Sequence, residues 1–445
     1  MTSQPAHAAV ESVVRMESAR LIAGLARMTG DVGLAEELAQ DAVVAALEQW
    51  PTAGVPRNAG AWLMTVAKRR AVDLFRRTEL LRSKYAVIGR ELQAAGEGVE
   101  VDFDGAFSQD IDDDLLRLVF ITCHPVLSPP ARVALTLRML GGLSTAEIAR
   151  AYLVPEPTIA QRIVRAKKTL AQADVGFAAP GPDERADRLS AVLEVLYLIF
   201  NEGYSATAGS DWMRPELCAD AVRLARMLAA LMPVEAEVHG LLALLELQSS
   251  RAAARVRPSG EPILLLEQNR ARWDRLLINR GLAALARSVE LGGAEGFYSL
   301  QAAIAACHAR AVRAEDTDWA RIARLYEVLA RVRPSPVIEL NRAVAVSMAA
   351  GPQAGLELVD ALAADPALRR YHLLPAVQGD LLTKLGRFSE AQAAFRRAAE
   401  LTANAREREL SLARAEQALA EQAVAEQAVA TQILGRQAQA GPGAG

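Results

Sequence analysis

LSTAEIARAYLVPEPTIAQRIVRAKKTL, residues 143–170, divides into two short amphipathic stretches about a Val154-Pro155 joint. Ser144 precedes an apolar run and Glu147 follows three residues on, the spacing of a capping box. Ile148, Ala149 and Tyr152 then share one helical face. In the second stretch Ile159 and Ile163 share the inner face, which leaves Thr158, Gln161, Arg162 and Arg165 outside. A helix, a tight turn and a second helix with a cationic outer face is a shape that enters the major groove of DNA. Such a second helix reads base edges from its N-terminal half and grips phosphates from its flanks. Thr158, Gln161 and Arg162 are therefore the base-proximal candidates, with Arg165, Lys167 and Lys168 as phosphate contacts. Plain helical bundles also contain such pairs, so the rest of the chain has to decide.

The formal net charge of −3 over 445 residues is unlike that of an ordinary DNA binder, but the charge is unevenly spread. Residues 66–84 hold seven cations against two acids, and residues 127–170 again hold seven against two. Between them, residues 91–114 hold nine acids and no cation. Two basic modules are joined by an acidic strap whose composition predicts flexibility.

A chain of this length is too long for one core. Apolar residues make up 51% and aromatics only 5%, with Ala, Leu, Val and Arg abundant, which predicts an all-α protein. No N-terminal segment reads as a signal peptide, and no run approaches the ~20 apolar residues of a membrane span. Cys123, Cys218 and Cys307 are far apart, so neither a disulfide framework nor a zinc ribbon is expected. The Cys123-His124 pair reads as packing or a helix end. A cytoplasmic setting, no membrane contact and no cofactor or metal follow. With five histidines and no nucleophile, metal or phosphate-loop spacing, an enzyme is the poorest reading.

Before the strap, apolar residues recur at helical spacing from Val10 to Met28, and Gly30 suits a helix C-cap. Asp31 can cap a second helix, which Pro51 is expected to stop. Glu37 and Asp41 stand four apart on one face of it. After a Pro/Gly loop, AWLMTVAKRRAVDLFRR (61–77) points Lys68, Arg69, Arg76 and Arg77 outward and Trp62, Val66 and Phe75 toward a core. The expected organisation is 8–85, strap 86–113, 114–176, a further linker near 177–187, a helical domain 187–410 and a low-complexity tail 411–445. Within the helical domain, Gly379, Leu382, Gly386, Ala391, Phe395 and Ala398 fall at the offsets of a tetratricopeptide (TPR) hairpin, which predicts a TPR-like α-solenoid.

Taken together, TGDVGLAEELAQDAV (29–43), AWLMTVAKRRAVDLFRR (61–77) and the stretch from Leu127 to Leu170 resemble an extracytoplasmic-function sigma factor of bacterial RNA polymerase. The order matches: region two, a linker, then region four. FITCHPVLSPPARVALTLR, NEGYSATAG and the helical remainder further resemble the subgroup with a long TPR-type C-terminal extension. The resemblance implies core RNA polymerase, through its β′ clamp helices and β flap, and promoter DNA as partners. It places Glu36, Glu37, Gln40 and Asp41 against the clamp helices, and Pro51–Gly60 around an unstacked base of the −10 element. Lys68, Arg69, Asp73, Arg76 and Arg77 would grip −10 DNA, and residues 158–168 would read the −35 element. The family often has Asn where Arg69 stands and an aromatic where Val43 stands, so the −10 base preference does not carry over. The strap matches the linker that runs toward the RNA exit path, where acids around Asp110–Asp114 would mimic a nucleic-acid backbone. The extension would control activity, either by clasping the sigma domains or by binding a protein or peptide.

A ligand-responsive helix-turn-helix regulator with a TPR sensor also explains the recognition helix and the solenoid, but not the acidic-then-basic region before residue 85. NEGYSATAG (201–209) reads either as a helix-ending loop with Asn201 and Ser205 as caps, or as a contact or sensing site. LLLEQNRARWDR (264–275) invites the same two readings, with Arg270, Trp273 and Asp274 as exposed candidates.

Overall fold

Local signals set most helix ends. In the computed structural model, which describes residues 3–89, 111–206, 209 and 211–439, Asp31 accepts from the N–H groups of Gly33 (2.6 Å) and Leu34 (3.1 Å). This caps α2 (Val32–Ala53) immediately after α1 (Ser3–Thr29) and the left-handed Gly30 (φ +69°). The described residues are all-helical. Their extended pairing is limited to isolated bridges, Gly209 with Asn404 and Val256 with Pro262. Two compact units divide the chain, residues 1–199 and 200–445.

In the first unit, α1 packs on α2, on α3 (Ala59–Gly89) and on α4 (Ile111–Thr122). Leu21, Ile22 and Leu25, Leu38 and Trp50, and Leu63 and Ala67 form the apolar seam. A second seam joins α4, α5 (Pro129–Met139), α6 (Thr145–Ala151) and α7 (Glu156–Gln172) through Phe120, Leu135, Leu137, Ile148, Ile159 and Ile163. Then α8 (Pro182–Tyr204) begins, and Arg188 on it donates to the Phe120 carbonyl at 3.0 Å. Cys123 is 1% exposed, and its Sγ lies 3.3 Å from Thr136 Oγ1; burial pushes the thiol pKa up.

The second unit continues with α9 (Pro215–Leu231), α10 (Ala236–Ser249), α11 (Arg275–Glu290) and α12 (Phe297–Arg310). After these come α13 (Trp319–Val332), α14 (Pro336–Ala350), α15 (Pro352–Leu362), α16 (Leu373–Lys384), α17 (Phe388–Leu401) and α18 (Ala405–Gln439), with each of α13 to α17 packing on the next. At the α16–α17 hairpin the tight turn uses Gly386 (φ +73°), and Gly379 lets Phe395 lie flat against the backbone.

Several boundaries differ from expectation. Pro51 does not stop α2, which runs to Ala53 before Gly54 (φ +82°) ends it; a proline this close to the C-terminus forfeits little of the hydrogen-bond ladder. The expected loop shortens accordingly to residues 54–58. Helix α3 runs past Arg77 to Gly89, and most of the strap, residues 90–110, lies outside the described residues. The 177–187 linker narrows because α8 starts at Pro182. The 411–445 tail, whose composition allows low-complexity helix or disorder, is helical through Gln439, and Ala415 and Ala418 are buried in the same core as Phe395. Phe75, expected in the core, is 37% exposed.

Candidate nucleic-acid interface

The capping box at the start of α6 forms as its sequence requires. Ser144 Oγ accepts from Glu147 N–H at 3.1 Å, and Glu147 accepts from Ser144 N–H at 2.7 Å. Leu153 turns the chain with φ +50°, and Pro155 precedes the first turn of α7, where its fixed φ costs nothing. Ile159, Ile163, Ala166 and Leu170 are buried beneath α7. Thr158, Gln161, Arg165 and Lys168 are exposed on its outer face, and Arg162 is half-buried. An exposed glutamine and arginines near a helix N-terminus match base edges, since an amide pairs with adenine and a guanidinium with guanine.

Lys167 departs from this face. It ion-pairs with Glu36 of α2, as does Arg138 of α5, whose Nε donates to Glu36 at 2.7 Å. Glu36 is 3% exposed, and Gln40 of the same helix donates to it. Burial raises the Glu36 pKa, but Lys167 and Arg138 outweigh burial and hold it below the usual glutamate range. Of the four acids and amides expected on polymerase, Glu37, Gln40 and Asp41 are exposed and Glu36 is not. The carboxylate closes a cleft of about 250 Å³ lined also by Leu21, Ile22, Val43, Leu63 and Arg138.

A second ion pair joins the same regions. Asp114, at the base of the acidic cluster, is 3% exposed and meets Arg27 at 3.2 Å and Arg117 at 2.7 Å. Asp112 and Asp113 stay exposed in the first turn of α4, where the helix dipole favours them. Asp110 lies outside the described residues.

On α3, Arg69, Asp73 and Arg76 are exposed and Lys68 is half-buried; the Arg77 side chain lies outside the described residues. Arg70, one of the cations of residues 66–84 but not among those expected to grip −10 DNA, meets Asp41 at 3.1 Å, so one cation of the basic helix is tied to the acidic face of α2. Trp50 and Trp62 meet edge to face at 5.4 Å beneath that face.

In the second unit, the NEGY tetrad is not a loop: Asn201 to Tyr204 form the last turn of α8. Arg270 and Trp273, expected outside, are 5% and 3% exposed, because Arg270 donates to the His308 and Ala311 carbonyls at the end of α12. Asp274 is exposed and caps α11 through the Leu276 and Leu277 N–H groups. No helix among the described residues is long and apolar enough to cross a membrane.

Comparison with known proteins agrees with this layout. Residues 13–80 match Sigma-70 region 2, and residues 117–170 match Sigma-70, region 4. Residues 188–289 match a family of unknown function (DUF6596). An uncharacterized protein of Rhizobium meliloti (strain 1021) is 43% identical over 391 residues, covering 86% of this chain and 89% of that protein. The ECF RNA polymerase sigma factor SigK of Mycobacterium ulcerans (strain Agy99) is 31% identical over 143 residues, 31% of this chain and 71% of that factor. With regions 2 and 4 both matched, in that order, and with this likeness to SigK, the chain belongs to the sigma-70 family of RNA polymerase sigma factors.

Proposed function

We propose that the chain is a promoter-specificity subunit of the extracytoplasmic-function type, which directs bacterial core polymerase to particular promoters and performs no covalent chemistry itself. The observation that carries this reading is the exposed outer face of α7, with Thr158, Gln161, Arg165 and Lys168 behind a capped α6. In this reading α7 reads the −35 element. Arg69, Asp73 and Arg76, with Lys68 and Arg77, grip the −10 element, and Glu37, Gln40 and Asp41 meet the β′ clamp helices. Glu36 joins them once its own ion pairs open. Region 4 would also meet the β flap. Many phosphate contacts supply salt-dependent affinity, and a few side chains supply sequence choice.

The helical region after α8 is proposed to be a TPR-like control domain that binds a protein or peptide. Support comes from the α16–α17 hairpin, where a Cβ on Gly379 would stand 2.8 Å from the Phe395 ring, the close helix approach that such repeats need. The test is in vitro transcription with bacterial core polymerase, a promoter library and this chain as the only specificity factor. Initiation at a restricted promoter set is expected. Binding of duplex upstream DNA without initiation would instead identify a helix-turn-helix regulator that acts beside a separate sigma factor.

A further inference from the structure

Arg251, Arg255 and Arg270, all within the DUF6596 match, converge on the aromatic side chains at the end of α8 and the start of α11. Arg255 is 6% exposed, with its Cζ 3.5 Å from the Tyr204 ring centroid and 5.2 Å from that of Trp212. Arg251, half-buried, lies 5.8 Å from the Tyr204 ring and 5.7 Å from that of Trp273. Arg270 lies 5.0 Å from the Trp273 ring.

No carboxylate accepts from any of the three among the described residues. Their acceptors are neutral: the Tyr204 carbonyl for Arg255, and the Tyr204 hydroxyl (2.5 Å) and Gln248 for Arg251. Arg270 uses two carbonyls and Thr317 Oγ1. Neighbouring acids are engaged elsewhere, Glu202 with Arg214, Asp274 at the α11 cap, and Glu315 and Asp316 with Arg313, although the last two also act on Arg270 through space. The carbonyls belong to the ends of α8 and α12, and each helix end supplies about half a negative charge. Glu315 and Asp316 thus reach Arg270 alone of the three, whereas Arg251 and Arg255 have no carboxylate partner among the described residues.

Donor capacity is also left over. Trp273 Nε1 and Arg270 Nε are buried donors that meet no acceptor among the described residues. Buried donors of this kind cost free energy unless something accepts from them. Arginine also offers a rigid, planar fork that matches carboxylate and phosphate oxygens.

We propose that this cluster is a binding site for the oxyanion head, phosphate or carboxylate, of a small-molecule ligand, held by Arg251 and Arg255 among the rings of Tyr204, Trp212 and Trp273. Arg251 is the member of the three that reaches solvent. Arg270 positions Trp273 and adds its charge from behind. This reading goes beyond promoter recognition and gives the C-terminal region a chemical input.

The test uses the full chain, titrated with inorganic phosphate and separately with succinate at constant ionic strength, and read by tryptophan fluorescence and melting temperature. A saturable fluorescence change with a raised melting temperature is expected from at least one of them. A response to phosphate alone identifies a phosphate-bearing ligand, and a response to succinate alone a carboxylate. Arg251→Gln should shift half-saturation upward about tenfold, the effect of losing one charged hydrogen bond. Arg257→Gln, which alters a surface pair with Glu261, should leave it unchanged. If Arg251→Gln loses its cooperative melt, Arg251→Lys takes its place, because it keeps the charge and loses the fork. The proposal is overturned if neither anion gives a saturable change beyond that of chloride, or if the Arg251 variant responds at the wild-type midpoint. In that case the arginines are only a stacked brace.

Discussion

Glu36 accepts a hydrogen bond from Arg138 at 2.7 Å across 102 residues of chain, and the same carboxylate holds Lys167 of the recognition helix. One residue expected on polymerase and one expected on DNA are therefore bound to each other. In the proposed reading, Lys167 would not be available to a phosphate, nor Glu36 to the clamp helices, while they are paired. The described conformation joins region 2 to region 4 through these pairs, and in that reading use of both surfaces would require them to open.

Glu36→Gln should destabilise the first unit, because it leaves two cations facing an amide. Breaking a fully buried pair costs about 3–5 kcal/mol, and since the Arg138 and Lys167 side chains are 20% and 19% exposed, about 2 kcal/mol is the better expectation here. Lys168→Gln, one residue along and exposed, should change stability by no more than about 0.5 kcal/mol. Urea unfolding of both variants checks this. Because the folded pKa of Glu36 is depressed, its stabilisation is present above the ordinary value of 4.5 and is lost as pH falls through the folded value. The Gln variant should lack that acid-limb loss.

On the outer face of α7 two kinds of contact should separate. Gln161→Ala should cost about 1–3 kcal/mol on the preferred −35 sequence and little on others, since an amide reads a base edge. Arg165→Ala or Lys168→Ala should weaken every promoter alike and lower the slope of log affinity against log salt by about 1. Holoenzyme binding to a −35 variant series at several salt concentrations distinguishes them. Equal losses across all sequences for Gln161→Ala would remove it from the reading set.

Much of this was legible in residues 143–170, because a capping box, a proline joint and a 3.6-residue apolar period are local signals that tertiary packing did not override. Glu36 was not. It flanks the apolar stripe formed by Ala35, Leu38, Ala39 and Ala42, and a carboxylate there reads as solvated until a partner far along the chain is known. Arg270 and Trp273 were misread for the same reason, since helical period cannot reveal that a loop arginine caps a helix end 38 residues later. Charge composition located the acidic strap but could not show that Asp114 would be drawn into the core by Arg27.

Gly379 should tolerate no side chain. A Cβ there would stand 2.8 Å from Phe395, whose ring is 1% exposed and fixed by Ala391, Leu382 and Ala415 in one core. Overpacking a filled core costs about 1–3 kcal/mol, so Gly379→Ala should lower the urea midpoint of the second unit despite its better helix propensity. Pairing it with Phe395→Leu should recover part of the loss, because the smaller side chain vacates the space the methyl needs. Failure of the double variant to recover any stability would mean that the backbone, not the ring, sets the limit.

His308 makes the second unit sensitive to mild acid. It is 7% exposed, packs edge to face on Trp319 at 5.1 Å, and faces Arg251 and Arg270; burial first, and then those two charges, lower its pKa from 6.5 to about 3. With the folded value below the unfolded one, protonation favours the unfolded chain. The stability is complete above about pH 6.5 and falls as pH drops toward 3. One pKa unit is worth about 1.36 kcal/mol, so lowering the pH from 7 to 5 should remove about 2 kcal/mol through this residue. His308→Gln should flatten the pH dependence of the urea midpoint in that window by the same amount.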